Sequence, residues 1–355
     1  MRGVILRETG KPVEVTDELA VRPPGPGEVR VRLRAAGVCH SDLSMCEGRL
    51  PARLPLVPGH EGAGVVVELG PGVSGPPVGT HVILSWIPPC GSCALCLGGR
   101  PNLCVSVRPP SSTVTVAGEP AHAGLGVGCF AEETVVDARA AIPIPDDVPF
   151  DVAAVVGCAV LTGVGAVINT AEVRPGSSVL VIGCGGVGIN VIQGARLAAA
   201  APVLAVDQVP EKLEAARAFG ATHVATPDEL GDAVRELTGG LGFDYAFEVV
   251  GRPATIRQAW QATRRGGTTV VVGAGSRDDL VTFNAAELFA TERRLTGCLY
   301  GSGDVRTDFG RLLRLWRAGR LDLEGLISRR ITLDEVGEAF TAMGSGDVIR
   351  SLVMF

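Results

Sequence analysis

Positive charge is in short supply in this 355-residue chain: 32 Lys and Arg stand against 38 Asp and Glu, a formal charge of −6. That balance argues against a phosphate-backbone binder, and no nucleic-acid partner is expected. Long apolar runs are also missing. Met1 to Glu8 contains no long apolar segment, and no stretch of about 18 uninterrupted apolar residues stands out, so the expectation is a cytoplasmic protein with no membrane partner. Repeats and linkers are absent too. The 48 glycines and 24 prolines are spread along the chain as turn residues, and an apolar fraction of 46% is ordinary for a soluble α/β protein, neither disordered nor fibrous.

What is present is cysteine, ten in all. Cys90, Cys93, Cys96 and Cys104 fall in one short loop, a spacing suited to a closed tetrahedral structural zinc site. A disulfide cluster is the competing reading, and a reduced intracellular setting disfavours it. A second candidate set is scattered: Cys39, His60 and Cys158. Two sulfurs and one nitrogen leave a fourth position for water or substrate, which is what chemistry needs. A lone Cys or His is more often packing than ligand, and Cys46, Cys129, Cys184 and Cys298 are read as such buried thiols.

The rhythm of the chain changes along its length. Early β-rich runs at Val29 to Leu33, Gly64 to Leu69 and Thr80 to Leu84, broken by Gly and Pro, predict an irregular, mostly β domain. From about Leu161, strand, glycine turn and helix alternate, which predicts a doubly wound parallel sheet. Strands are expected at 178–182, 203–207, 245–250 and 269–273, with an amphipathic helix at 211–219 stopped by Gly220. Helical patterns at 311–317 and 333–343 precede a last strand at 351–355, expected to rejoin the first domain.

Gly183, Cys184, Gly185, Gly186, Val187 and Gly188 match G-x-G-x-x-G between an apolar strand and a helix. Gly183 permits the tight turn, Gly185 lets a pyrophosphate approach, and Gly188 allows the helix to pack closely on the sheet. Asp207, about twenty residues further on, closes the next strand where a carboxylate accepts the ribose hydroxyls, which favours NAD over NADP. Lys212, one helical turn beyond, is either a ribose contact or a solvated lysine.

With Gly37-Val38-Cys39-His40-Ser41-Asp42, Gly59-His60-Glu61, the four-cysteine loop, Gly157-Cys158-Ala159-Val160-Leu161-Thr162-Gly163 and the glycine turn in this order, the chain resembles the zinc-containing alcohol dehydrogenases of the medium-chain dehydrogenase/reductase superfamily. The resemblance covers nearly the whole chain. It implies an α/β protein in three parts: a GroES-like, mostly β catalytic domain at 1–162 with both zinc sites, a Rossmann NAD-binding domain at 163–298, and a segment at 299–355 that returns to the catalytic domain. The active site would lie in the cleft between the domains.

By the same resemblance, Cys39, His60 and Cys158 hold a catalytic zinc, with Glu61 behind it and Asp42 orienting His60. Ser41 hydrogen-bonds the alcohol oxygen and starts proton export. Many relatives end that relay with a histidine three residues later, where this chain has Ser44, which is no base near pH 7. Arg350 and His40 would approach the cofactor phosphates. The substrate pocket would include Leu50, Trp86, Ala274, Leu299 and Tyr300, an apolar lining suited to a primary alcohol with an apolar or aryl group. Trp86 also has a plain core reading. Leu50 stands where the glutathione-dependent formaldehyde branch places an acid, although Arg108 resembles that branch's anion-binding arginine.

Three other functions compete. They are thiol-adduct formaldehyde oxidation, a tightly held NAD recycled by an external acceptor, and, remotely, a noncatalytic nucleotide- or zinc-binding protein. The resemblance further implies a homodimer or homotetramer joined at the Rossmann sheet edge near 268–272 and 280–283.

Overall fold

The computed structural model describes residues 1–106, 112–345 and 349–355. Arg108 lies outside the described residues. The chain forms two compact units, Met1–Cys158 with Asp304–Phe355, and Ala159–Gly303. The expected boundaries at 162/163 and 298/299 fall a few residues from these divisions.

The first unit is built on a seven-stranded sheet. Its strands are β1 (Glu28–Gly37), β2 (Glu61–Leu69), β3 (His81–Leu84), β4 (Glu133–Asp137) and β5 (Ala141–Pro143), joined by Ile327–Ile331 and Arg350–Met354. The order runs β5-β3-β2-β1, then Arg350–Met354 and Ile327–Ile331, with β4 also on β1. Alternation explains β1. Val29, Val31 and Leu33 point into the core, while Arg30 and Arg32 face out and pair with Glu68 at 3.1 Å and Glu133 at 3.0 Å across the strands. The alternation stops at Ala35, Ala36 and Gly37, all buried, where the strand enters the site described below. Arg350–Met354 pairs antiparallel with β1, so the chain's last strand does return to this unit.

The second unit is a six-stranded parallel sheet of β6 (Val179–Ile182), β7 (Val203–Val206), β8 (His223–Ala225), β9 (Phe243–Glu248), β10 (Thr263–Val271) and β11 (Arg294–Gly297). Its order is β8-β7-β6-β9-β10-β11, the doubly wound arrangement, whose direction of winding reverses between β6 and β9. All residues of β6 and β7 are buried, as a sheet covered on both faces requires. The helix after β6 spans Gly186–Leu197. The helix Pro210–Phe219 starts with proline and ends at Gly220, whose φ of 118° gives the left-handed cap expected from the sequence.

The sheet edge is not where the sequence reading put it. The run 268–272 lies mostly within β10, an inner strand, and the edge on that side is β11. Arg-Leu-Thr-Gly carries little apolar periodicity, so this short strand is invisible to a pattern search. Residues 280–283 belong to no strand.

A helical run at 150–170 has the length to cross a membrane and an 18-residue window of mean hydropathy 2.1, but 89% of that window is buried inside the protein. It contains π-helical turns at Val156–Val160 and Ala166–Thr170. All ten cysteines are free.

Candidate metal centres and cofactor turn

Three strands of the first unit end together. Gly37 on β1 pairs with Glu61 on β2 and with Leu352 on the last strand. Cys39 follows β1, His60 immediately precedes β2, Glu61 opens it, and Arg350 opens the last strand. Cys158 arrives on the first π-helical turn, where Gly157 lies within 3.4 Å of Ile83 and of the Leu84 carbonyl when given a Cβ. Cys39, His60, Glu61 and Cys158 thereby bring their ligand atoms within 4.8 Å of one another, all buried.

The geometry around these four groups fits a metal. Asp42, without exposed surface, accepts from the Gly59 N–H at 3.0 Å and the Cys39 N–H at 3.4 Å. It stands 2.9 Å from His60 Nδ1, so the ring donates there and turns Nε2 toward the thiols. Neither carboxylate oxygen of Glu61 has a hydrogen-bond donor among the described residues. Arg350 Nη1 is 3.1 Å from Glu61 Oε1 as an ion pair without hydrogen-bond geometry, and it donates instead to the Val38 carbonyl at 2.8 Å. A buried carboxylate so poorly satisfied, facing two thiols and an imidazole, is what a cation would complete.

The four groups also perturb one another's titration. The Cys158 hydrogen bond holds the Cys39 thiol well below its usual range, and that same bond with burial pushes Cys158 up. Burial lifts the Glu61 carboxyl to about 8. Burial would lower His60, but Asp42 and Cys39 outweigh it and hold the imidazole well above its ordinary value.

Two residues essential to this geometry were missed by the sequence reading. A Cβ on Gly37 would stand 2.1 Å from Glu61 Oε2, so a side chain there would displace the buried carboxylate. Gly59, at φ 91°, packs against the backbone of Phe130 in the same way. Both open the quoted motifs, where they were given no role of their own, and their position near a ligand was the available signal.

Cys90, Cys93, Cys96 and Cys104 also gather within 4.8 Å. The sulfurs of Cys90 and Cys96, and of Cys93 and Cys104, are 3.9 Å apart. Sulfurs held about 2.3 Å from a tetrahedral zinc have edges of about 3.8 Å, so the loop is shaped for the ion. Backbone N–H groups of Ser92 and Cys93 donate to Cys90 Sγ at 3.4 and 3.2 Å, and such bonds bring its thiol down to about 5. Cys96 is pushed by burial to about 12.

The remaining predicted residues fall as follows. His40 is exposed beside Arg49 at 3.3 Å, and Ser41 is half-buried on the helix His40–Cys46. Ser44 is buried on that helix. Trp86 meets the His60 ring edge-on, centroids 6.2 Å apart at 87°. Leu50 packs on the same core. In the second unit Ala274 and Leu299 are exposed, whereas Tyr300 is only 2% exposed and packs into the unit's interior.

In the cofactor turn each glycine has a distinct setting. Gly183 has φ 96°, and a Cβ on Gly188 would lie 1.8 Å from the Gly183 carbonyl. Around Gly185 a Cβ would meet nothing within 4 Å, which leaves open space at the N-terminus of the Gly186–Leu197 helix. Gly186 and Val187 form its first turn, whose free N–H groups suit an anion. Asp207 Oδ2 accepts from the Cys184 N–H at 2.7 Å and Oδ1 from Val209 at 3.1 Å. Lys212 is half-buried on the following helix, and its charge acts on Cys184. These residues fit a dinucleotide.

Known proteins agree with the geometry. The family model described as alcohol dehydrogenase GroES-like domain matches residues 25–146, and that described as zinc-binding dehydrogenase matches 186–317. The chain is 36% identical to an S-(hydroxymethyl)glutathione dehydrogenase of Paracoccus denitrificans, over 100% of this chain and 99% of that protein. It is 37% identical to an NDMA-dependent alcohol dehydrogenase of Amycolatopsis methanolica, over 99% and 98%. Among solved structures, benzyl alcohol dehydrogenase from Acinetobacter calcoaceticus superposes with a TM-score of 0.92 at 29% identity, covering 100% of this chain and 99% of that one. The chain is an oxidoreductase acting on alcohols, and it belongs to the zinc-dependent alcohol dehydrogenases of the medium-chain dehydrogenase/reductase superfamily.

Proposed function

We propose that this enzyme transfers hydride reversibly between NAD and primary alcohols bearing an apolar or aryl group, with one catalytic and one structural zinc per chain. The observation that carries the substrate class is the Trp86 ring set edge-on to His60, which supports an apolar wall beside the ligand imidazole. Leu50, on the same core, extends that lining.

Bound at their sites, zinc supplies Lewis acidity toward the alcohol oxygen and NAD supplies the hydride acceptor. Asp42 fixes the tautomer of His60. Ser41, in the first turn after Cys39, takes a hydrogen bond from the alcohol and passes the proton outward. Ser44 is buried and is no base near neutral pH, so water or another group completes the export. Asp207 has one N–H donor on each oxygen and acceptor capacity left for ribose hydroxyls, whereas a 2′-phosphate would meet its charge. His40 and Arg350 remain candidate phosphate contacts by resemblance, although Arg350 is engaged with Glu61 and Val38.

The test is absorbance at the NADH band after mixing purified protein with NAD and benzyl alcohol, with NADP run in parallel. Growth with NAD alone is expected, and no growth with either in zinc-loaded protein would overturn the proposal. Similarity to the Paracoccus enzyme keeps a second reading in play. Formaldehyde oxidation that requires added glutathione would favour it, and NAD that survives purification would favour the tightly held cofactor.

A homodimer or homotetramer is part of this proposal. Leu295 on edge strand β11 and Phe289 on the helix Ala285–Thr291 before it are exposed, apolar surface that a second copy would cover. A cytoplasmic location is proposed because thiolate ligands need a reducing compartment.

A further inference from the structure

Glu248 ends β9, beside the point where the sheet reverses its winding, and its side chain has no exposed surface. Its hydrogen bonds are one-sided. Oε1 accepts from the Val250 N–H at 2.9 Å, the Gly251 N–H at 2.8 Å and the Thr255 hydroxyl at 2.7 Å. Oε2 has no donor among the described residues. Burial holds this carboxyl above its usual range despite those donors. A buried carboxylate is costly to keep, and an apolar residue of the same shape would leave the three donors unsatisfied.

The turn after Glu248 packs closely on two others, on one through the Val250 side chain and on the other through its backbone. A Cβ on Gly183 would lie 2.8 Å from Val250 Cγ2, and one on Gly273 would lie 2.1 Å from the Gly251 nitrogen. Gly251, at φ 83°, would meet the Ala274 carbonyl carbon at 2.7 Å. The turn is thus wedged between the glycine turn after β6 and the loop after β10. Both lie at carboxyl ends of parallel strands, where open α/β sheets bind their ligands.

We propose that Glu248 is a positioning residue for the nicotinamide cofactor: one carboxylate oxygen fixes the 249–251 turn, and that turn fixes the Gly183 backbone from which the pyrophosphate-binding helix starts. The proposal rests on the reading of the second unit as the cofactor unit. It makes a sharp chemical distinction among variants. Glu248→Gln keeps an acceptor for all three donors and places its NH2 where no donor competes. Glu248→Asp withdraws the carboxylate by about 1.5 Å, one C–C bond, beyond hydrogen-bond reach. Thr255→Val removes one donor and leaves the backbone intact.

The experiment is calorimetric titration of NAD and of ADP-ribose into each purified variant, with melting temperature, zinc content and steady-state kinetics on the same samples. Glu248→Gln is expected to bind within about threefold of the parent, and Glu248→Asp and Glu248→Ala about tenfold or more weakly. Thr255→Val is expected to fall about two- to fivefold with an unchanged melting temperature. KM for NAD should rise in the weak binders while kcat and zinc content hold. Tight binding by Glu248→Ala or Glu248→Asp, or loss in Glu248→Gln equal to that in Glu248→Ala, would overturn the proposal. Should Glu248→Ala not fold, unchanged NAD affinity in Thr255→Val would overturn it. Failure of the parent protein to bind either NAD or NADP is a different result, and refutes the cofactor reading itself.

Discussion

Gly185 and Gly188 sit three residues apart, yet methylating each should have opposite consequences. At Gly188 an added Cβ would stand 1.8 Å from the Gly183 carbonyl, and real Cβ atoms stay beyond 3.0 Å, so the helix must retreat from the turn by about 1.2 Å. Alanine gains about 1 kcal/mol of helix propensity over glycine. Overpacking against a backbone atom costs about 1–3 kcal/mol, and a carbonyl held in a tight turn places this case at the upper end. The expected net loss is about 1–2 kcal/mol, or a melting decrease of about 3–6 °C for a unit of this size. Gly185 has φ −75° and ψ −171°, which alanine adopts freely, and no atom within 4 Å of its added Cβ. Gly185→Ala should therefore melt close to the parent temperature, because restriction of the unfolded chain is offset by alanine's poorer fit at this helix N-cap. Its methyl, however, fills the space left for the pyrophosphate, and NAD affinity should fall at least about tenfold. Differential scanning calorimetry with NAD titration separates the two outcomes. Gly185→Ala that binds NAD normally would refute the assignment of that space to the cofactor, and Gly188→Ala with unchanged stability would refute the packing argument.

Asp42→Ala should weaken zinc at the Cys39 site by about 10–100-fold, measured as retained zinc after dialysis against a graded chelator. Asp207→Ala should narrow the preference of NAD over NADP, read as the ratio of kcat/KM for the two cofactors, since it removes the charge that opposes a 2′-phosphate. Glu28 receives two Arg22 hydrogen bonds at 2.6 and 2.8 Å and one from the Gly25 N–H at 2.8 Å, and the Arg22 bonds chiefly hold its carboxyl below the usual 4.5. A lowered folded value means stability that is complete above pH 4.5 and lost as pH falls through the lower folded value. Glu28→Gln should cost about 1 kcal/mol at pH 7 in denaturant titrations, and the difference should shrink in that acid window.

Much of the site was legible because metal and phosphate chemistry leave local marks. Four cysteines in one loop, and three glycines between a strand and a helix, cannot be spread far apart by any fold. Scattered ligands are different: nothing local to Cys39, His60 and Cys158 announces that three elements distant in sequence converge, and the resemblance supplied that step. Gly37 escaped because its role depends on the strand opposite, which places Glu61 against it. The same cause hid Glu248, whose donors are local but whose importance lies in turns from β6 and β10. Among the elements, apolar strands such as β6 and β7 were plain, whereas β11 was missed and the edge placed one strand inward. Four residues with little apolar pattern become a strand only because β10 offers them hydrogen bonds.

The central claim is that Cys39, His60, Cys158 and Glu61 form the centre at which alcohol is oxidised, while the four-cysteine loop holds a separate structural ion. Metal analysis paired with benzyl alcohol turnover, for Cys158→Ala and Cys104→Ser, tests it most directly. The account predicts that each variant loses one zinc per chain, that Cys158→Ala loses turnover completely, and that Cys104→Ser, where it remains folded, turns over. Full zinc content or undiminished turnover in Cys158→Ala would contradict it.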